Sequence, residues 1–238
     1  MLFSILQGGD IREMVINLLL LIPVIIISLS LHEAAHGYIA YKMGDPTAYN
    51  LGRVTLNPVK HLDPVGSLCM LVFGYGWAKP VPINARNFKN PKRGMAFTAI
   101  AGPISNLLLG FIAVVLYSSA SFATYYFYES IIANDFLLKV IQVAMTMLFY
   151  FGYMNFVLAA FNLIPVPPFD GSRFFSLFLP TKTYFALMKY ERHIMIGLLI
   201  AIFACSRLFS FSPFGWVADN LFDLIYRGIT NLLILIFA

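Results

Sequence analysis

The chain has 238 residues, 60% of them hydrophobic and 11% charged, with a formal net charge of +5. Such proportions exclude an ordinary soluble domain and describe a polytopic membrane protein. Its basic residues fall in loops beside apolar runs and not along one soluble face, which excludes nucleic-acid binding, and its two cysteines, Cys69 and Cys205, are too few for a disulfide framework or a thiolate metal cluster.

Residues 1–13 carry Asp10, Arg12 and Glu13, and the stretch Met1 to Gln7 has no basic residue, so no cleavable signal is expected. The first span runs from about Met14 to Tyr41. It is uncharged from Met14 to Leu31, long enough to cross a bilayer, and continues directly into His32-Glu33-Ala34-Ala35-His36. Histidines four apart lie on one helix face, about one turn along the axis, so both imidazoles can reach one metal. A carboxylate beside them, Glu33, can take a proton from a water that the metal acidifies. An ionisable group within a membrane costs roughly 2.5 kcal/mol or more unless it is paired or coordinated, which weighs against a chance match. A structural zinc, using the same ligands without an open position, is the bland alternative. His36 precedes Lys42 by about 9 Å at the helical rise, which places the metal inside the membrane near that face.

From Lys42 to Arg93 the pattern breaks into short, turn-punctuated pieces. Alternation over Arg53 to Leu56 predicts a strand or hairpin, and the apolar, glycine-rich Val65 to Trp77 predicts a re-entrant segment. Eight of the sixteen basic residues lie in this region (Lys42, Arg53, Lys60, Lys79, Arg86, Lys89, Lys92, Arg93), which predicts a cytoplasmic location. A second span, about Gly94 to Ser118, contains Ala101-Gly102-Pro103-Ile104-Ser105-Asn106. Its small residues permit close helix approach, and Asn106 needs a partner.

The loop from about Ser119 to Asp135 has no Lys or Arg and is expected outside. A third span, Lys139 to Leu163, leads into Asn162-Leu163-Ile164-Pro165-Val166-Pro167-Pro168-Phe169-Asp170-Gly171, where three prolines in four positions end any helix and free backbone groups at membrane depth. Residues 172–192 are expected in the cytoplasm, with a short helix over Arg173 to Leu179. The last two spans fall at about His193 to Phe209 and Leu221 to Phe237.

The expected fold is therefore an all-α polytopic membrane protein with about six membrane segments, one a candidate re-entrant loop, and a small β-hairpin between the first two. One membrane-embedded domain is expected over 1–238, with a core at 14–180 and C-terminal spans at 181–238, and no PDZ-like or other appended module.

A catalytic zinc needs a third protein ligand and one position left for water. His61, in a basic loop, reads as an exposed histidine, and His193 reads as the polar cap of a span. Asp170 follows the proline-broken segment at the depth of His36, where a carboxylate is costly without a cation, but Asp-Gly is also a strong turn signal. Spacing alone leaves these open.

Together, the His32-Glu33-Ala34-Ala35-His36 helix, the Gly76-Trp77-Ala78-Lys79-Pro80-Val81-Pro82 stretch, the Ala101-to-Asn106 helix and the Asn162-to-Gly171 motif resemble the site-2 protease family of intramembrane zinc metalloproteases. The likeness covers most of the chain to about residue 180. It implies one Zn2+ on His32, His36 and Asp170, with Glu33 as general base, and gives Asn162 a catalytic place near the scissile carbonyl or its oxyanion; a helix–helix hydrogen bond is the plain alternative for Asn162. Asn106, Trp77 and Lys79 are candidate substrate contacts, although Trp77 also reads as an interfacial anchor.

The implied reaction is hydrolysis of peptide bonds within or near transmembrane segments of membrane-protein substrates. An unwound substrate strand would pair with an exposed edge from Arg53 to Leu56 or from Trp77 to Asn84. Relatives of this family often carry a PDZ domain or a CBS pair. This chain resembles the compact bacterial or archaeal members, which implies a prokaryotic cell membrane, a lipid environment, and either a homo-oligomer or a regulatory membrane partner. A metal transporter or a non-catalytic zinc-binding membrane protein is the rival reading, but the halves of the chain do not repeat and Glu33 would have no task there. Prenyl-protein zinc proteases also place this histidine motif in a membrane, but they draw the third ligand from a helix-borne glutamate.

Overall fold

A computed structural model of the chain describes residues 11–66, 78–180, 189–208 and 211–237, together with 182, 183 and 186. Helices dominate. The first, α1 (Ile11–Met43), is followed by a single turn, α2 (Thr47–Asn50), and by α3 (Pro91–Tyr126), α4 (Tyr128–Ile132), α5 (Asp135–Asn162), α6 (Asp170–Phe175), α7 (Glu191–Leu208) and α8 (Pro213–Phe237).

Four of them are long and apolar enough to cross a membrane: Val15–Met43 within α1, then α3, α5 and α8. With 33 residues, α1 is about 50 Å long, well beyond the ~30 Å hydrocarbon core. Lys42 lies in its last turn, where a cation suits the helix dipole. The helix stops where Gly44 takes φ of +110°, a backbone state that favours glycine, just before Asp45-Pro46. At the other ends, Asn90 caps α3 by accepting the Arg93 N–H and Asn134 caps α5 by accepting the Leu137 N–H, each an Asn one residue before the first helical turn.

The central element is α3, which packs against α1, α5, α6 and α8. It can do so because its buried positions are mostly small: Gly94, Ala96, Ala99, Ala101, Gly102, Gly110 and Ala113. Gly110 meets the Phe156 ring so closely that an added Cβ would lie 2.5 Å from it. Around the same ring, Val114, Phe156, Ala218 and Phe222 form an apolar cluster from α3, α5 and α8. Because α1 runs opposite to α3 and α3 opposite to α5, the C-terminal end of α1, the N-terminal end of α3 and the exit of α5 share one level.

Several expectations are corrected. Four of the about six expected segments are found as spanning helices among the described residues. Helix α7 has only 18 residues and is not among them, and most of Val65 to Trp77 lies outside the described residues. Residues Arg53 to Leu56 form no strand, and the described residues contain none. One isolated antiparallel bridge, Leu62 with Ala78, is their only β pairing. The reason is local: the Arg53 side chain turns inward onto the carbonyls of Lys79 and Pro80, and Pro58, Pro80 and Pro82 cannot donate to a ladder. The second span continues to Tyr126 and takes in much of the predicted outer loop. The predicted short helix at Arg173 to Leu179 begins three residues earlier and ends at Phe175.

The loop after α1 is fastened by Asp45, which is fully buried. Its carboxylate accepts from the Thr47 N–H and hydroxyl, the Asn84 N–H and the Asn87 side-chain amide. Burial by itself would raise its pKa; the hydrogen bonds from Thr47, Asn84 and Asn87 outweigh that and hold it below the usual carboxylate range. The turn at Ala85–Asn87 is thereby fixed to the end of α1.

Candidate metal centre

The helical period carries His32 and His36 to the α3-facing side of α1, where both are buried. Each ring is held from behind. The His36 Nδ1–H donates to the Thr98 carbonyl at 2.7 Å, and His32 Nδ1 faces Asn106 Oδ1 at 3.0 Å. A carbonyl oxygen can only accept, so Nδ1 carries the proton of His36 and its Nε2 presents a lone pair; the Asn106 oxygen implies the same for His32.

The two Nε2 atoms lie 3.0 Å apart, and Asp170 Oδ2 lies 3.1 Å from one and 3.2 Å from the other. Three electron-rich atoms without a proton among them repel unless a cation sits between. Ligands about 2.0–2.1 Å from a tetrahedral zinc lie roughly 3.3 Å from each other, close to the spacing found here. Two imidazoles and one carboxylate also form the donor set of a zinc site with a free fourth position. These residues therefore fit a zinc ion, and they form the one group of three or more potential metal ligands among the described residues.

Asp170 reaches this point because the chain leaves α5 through Leu163 to Pro168 and turns back at the start of α6. Gly171 makes the return possible: a Cβ there would lie 2.3 Å from the Leu163 carbonyl oxygen. Gly102 does the same for α3, since a Cβ would stand 2.5 Å from both His32 Cε1 and His36 Nε2. Both rings are held by Asn106 and Thr98, so they cannot swing aside cheaply. Gly102→Ala is expected to lower zinc affinity by about 10- to 100-fold or more, the size of effect seen when ligand support is lost, with helix content unchanged by circular dichroism. Zinc titration of the apoprotein checks it.

Glu33 points to the side of the cluster and its Oε2 accepts the Val81 N–H at 2.9 Å. Asn106 is fully buried, and its Nδ2 has no hydrogen-bond partner among the described residues. Asn106, read from sequence as a candidate substrate contact, stands behind His32. Asn106→Leu is expected to weaken zinc binding by about 10- to 100-fold through loss of the ring's support, readable by competition with a chelator.

The remaining candidates are placed as follows where the structure describes them. Asn162 lies in the last turn of α5 and donates to the Leu158 carbonyl of its own helix at 3.0 Å, with no hydrogen bond to the cluster. Lys79 is exposed, and its backbone rather than its side chain is engaged. Trp77 lies outside the described residues. His61, expected to be exposed, is 1% exposed, with Nε2 donating to the Thr55 carbonyl at 2.8 Å. Its position in a polar loop concealed a buried, loop-bracing role. His193 is exposed beside Tyr190. Sequence reading did not find Val81 or Thr98 at the site; both act through backbone atoms, which leave no mark in residue type.

Apolar helices that close around a buried His-His-Asp cluster with a flanking glutamate define a membrane-embedded metallohydrolase. Comparison with known proteins gives the class its family. Residues 20–204 match the model of Peptidase family M50. The chain is 38% identical over 184 residues to the Bacillus subtilis protein named "Putative zinc metalloprotease YwhC", covering 76% of this chain and 78% of that one. It is 25% identical over 216 residues to "Putative zinc metalloprotease Rip2" of Mycolicibacterium smegmatis, covering 88% of this chain and 74% of that one. No solved structure matches it. The chain belongs to peptidase family M50, the site-2 protease family, and is a zinc metalloprotease of the membrane.

Proposed function

We propose that this protease cleaves peptide bonds within or beside transmembrane segments of membrane-protein substrates, with His32, His36 and Asp170 holding the zinc and Glu33 as general base. The observation that carries it is the position of the two cluster histidines on α1, within the membrane-crossing stretch Val15–Met43 and not in a loop. When bound, zinc supplies Lewis-acid polarisation of the scissile carbonyl and acidifies water.

The protein's own groups supply the rest. Glu33 Oε2 is held by the Val81 N–H and its Oε1 has no hydrogen-bond partner among the described residues, so one oxygen can take the proton from the attacking water and pass it to the leaving amine. Asn162 has a second amide N–H beyond the one given to Leu158, available to an oxyanion. The buried, unpartnered Asn106 Nδ2 is a further donor at the same depth.

A transmembrane helix hides its carbonyls in its own hydrogen bonds, so the substrate must unwind before cleavage. Residues 78–83, which lie outside any helix, are the edge onto which such a segment would add, and the exposed Lys79 would meet its polar end. The eight basic residues between 42 and 93 support a site near the cytoplasmic face; the similarity to bacterial proteins supports a prokaryotic cell membrane, with one domain built of the 14–180 core and the 181–238 helices. The test is cleavage by the purified zinc-loaded protein in liposomes. A peptide that spans the bilayer is expected to be cut inside its apolar segment. Cutting only of the same sequence in soluble form would overturn the proposal.

A further inference from the structure

The strap that follows the first span crosses Glu33 in a manner its sequence makes hard to alter. Arg53, 8% exposed, donates through Nη2 to the Lys79 carbonyl at 2.7 Å and the Pro80 carbonyl at 3.3 Å. The Lys79 N–H donates to the His61 carbonyl at 2.8 Å, and Leu62 pairs with Ala78. Next along the strap, the Val81 side chain is buried against α1, with Cγ1 3.3 Å from the place of a Cβ on Gly37. This seats the Val81 amide on Glu33 Oε2.

Pro80 and Pro82 have no N–H, so Val81 is the only backbone donor from 80 to 82. A slip of the strap by one residue in either direction would bring a proline nitrogen to the carboxylate and expel the Val81 side chain from its seat. Glu33 needs such a hold. A glutamate on a helix has three side-chain torsions to lose, and a base must wait within hydrogen-bond reach of the proton it takes.

We infer that the Val81 backbone amide is the positioning group for the Glu33 carboxylate, and that Arg53 is the side chain that holds the strap in register for it. Taking one carboxylate oxygen leaves the other free and aimed. The inference rests on the reading of Glu33 as general base. Its consequence is that loosening the hold on Glu33 lowers turnover, separately from any contact that the strap makes with substrate.

Two measurements test it. The first needs no activity: in amide hydrogen exchange of the full-length apoprotein, a peptide over 78–83 reports chiefly Lys79, Val81 and Ile83, because both prolines are silent. Val81 is expected to be protected in the wild type and to exchange at least about tenfold faster in Glu33→Ala, with Lys79 still protected by His61. An unchanged Val81 rate would overturn the inference.

The second compares zinc-loaded variants on a bilayer-spanning peptide. Val81→Pro, which removes the donor, is expected to lower kcat at least about tenfold further than Val81→Ala, which loses the packing but keeps the donor. Arg53→Lys, which keeps the charge but loses the planar fork, is expected to lower kcat by about tenfold with KM within about twofold and zinc at one ion per chain. A rise in KM at wild-type kcat would assign the strap to substrate binding alone and overturn the inference. Should Val81→Pro not fold, the Arg53→Lys and exchange results still decide. Full activity in Glu33→Gln would instead sink the general-base reading, whatever the exchange data show.

Discussion

Glu33→Gln is expected to lower cleavage of a membrane-spanning peptide by about 10²- to 10⁴-fold, the usual worth of a general base, while zinc stays at one ion per chain. The separation follows from geometry. The three converging atoms belong to His32, His36 and Asp170, and Glu33 is not among them. Glutamine keeps the shape of the side chain and an oxygen that can still accept the Val81 N–H, so the strap over α1 has no reason to move. What disappears is the ability to take a proton. Metal analysis and turnover on one preparation check this, and wild-type turnover would show that the proton goes elsewhere.

Asp170→Ala is expected to remove both zinc and activity, with affinity falling by more than the ~100-fold typical of lost supporting contacts, because the ligand itself is lost. Two imidazoles would remain, their Nε2 atoms 3.0 Å apart with no carboxylate converging on them. The two variants thus part company: one keeps the ion and loses the chemistry, the other loses both. Zinc retained at full stoichiometry in Asp170→Ala would reopen the question of the third ligand. The other two histidines offer little there, since His61 is committed to the Thr55 carbonyl and His193 is exposed beside Tyr190.

Long apolar runs and the spacing of His32, Glu33 and His36 were legible because they depend on local geometry. A run of twenty or more apolar residues has few fates other than a spanning helix, and residues four apart meet on any helix. The helices at Ile11–Met43, Asp135–Asn162 and Pro213–Phe237 lie where the apolar runs lie. Element ends were less legible: Ser119 to Tyr126 reads as the start of an outer loop yet continues α3, where Ser119 and Thr124 satisfy their hydroxyls on their own helix carbonyls. The alternation at Arg53 to Leu56 misled in a different way. It reflects one inward-facing arginine that braces two carbonyls, not a sheet with two faces.

Taken alone, the sequence determined that the protein is a membrane-embedded helical chain with two histidines and a glutamate on one helical turn, because charge content, run length and the helical period act within a few residues of one another. The structure alone decided what stands around that turn. Asp170, 134 residues beyond His36, arrives through a proline-broken return; Asn106 and Thr98 hold the rings because α3 runs antiparallel to α1; and the Val81 amide reaches Glu33 because Arg53 holds a strap across it. Each of these contacts joins parts of the chain far apart in sequence, and several use backbone atoms that every residue shares. Such contacts are set by how helices pack; the arrival of Asp170 was implied beforehand only by the resemblance of its motif to a known family, and no pattern of residue types records the others.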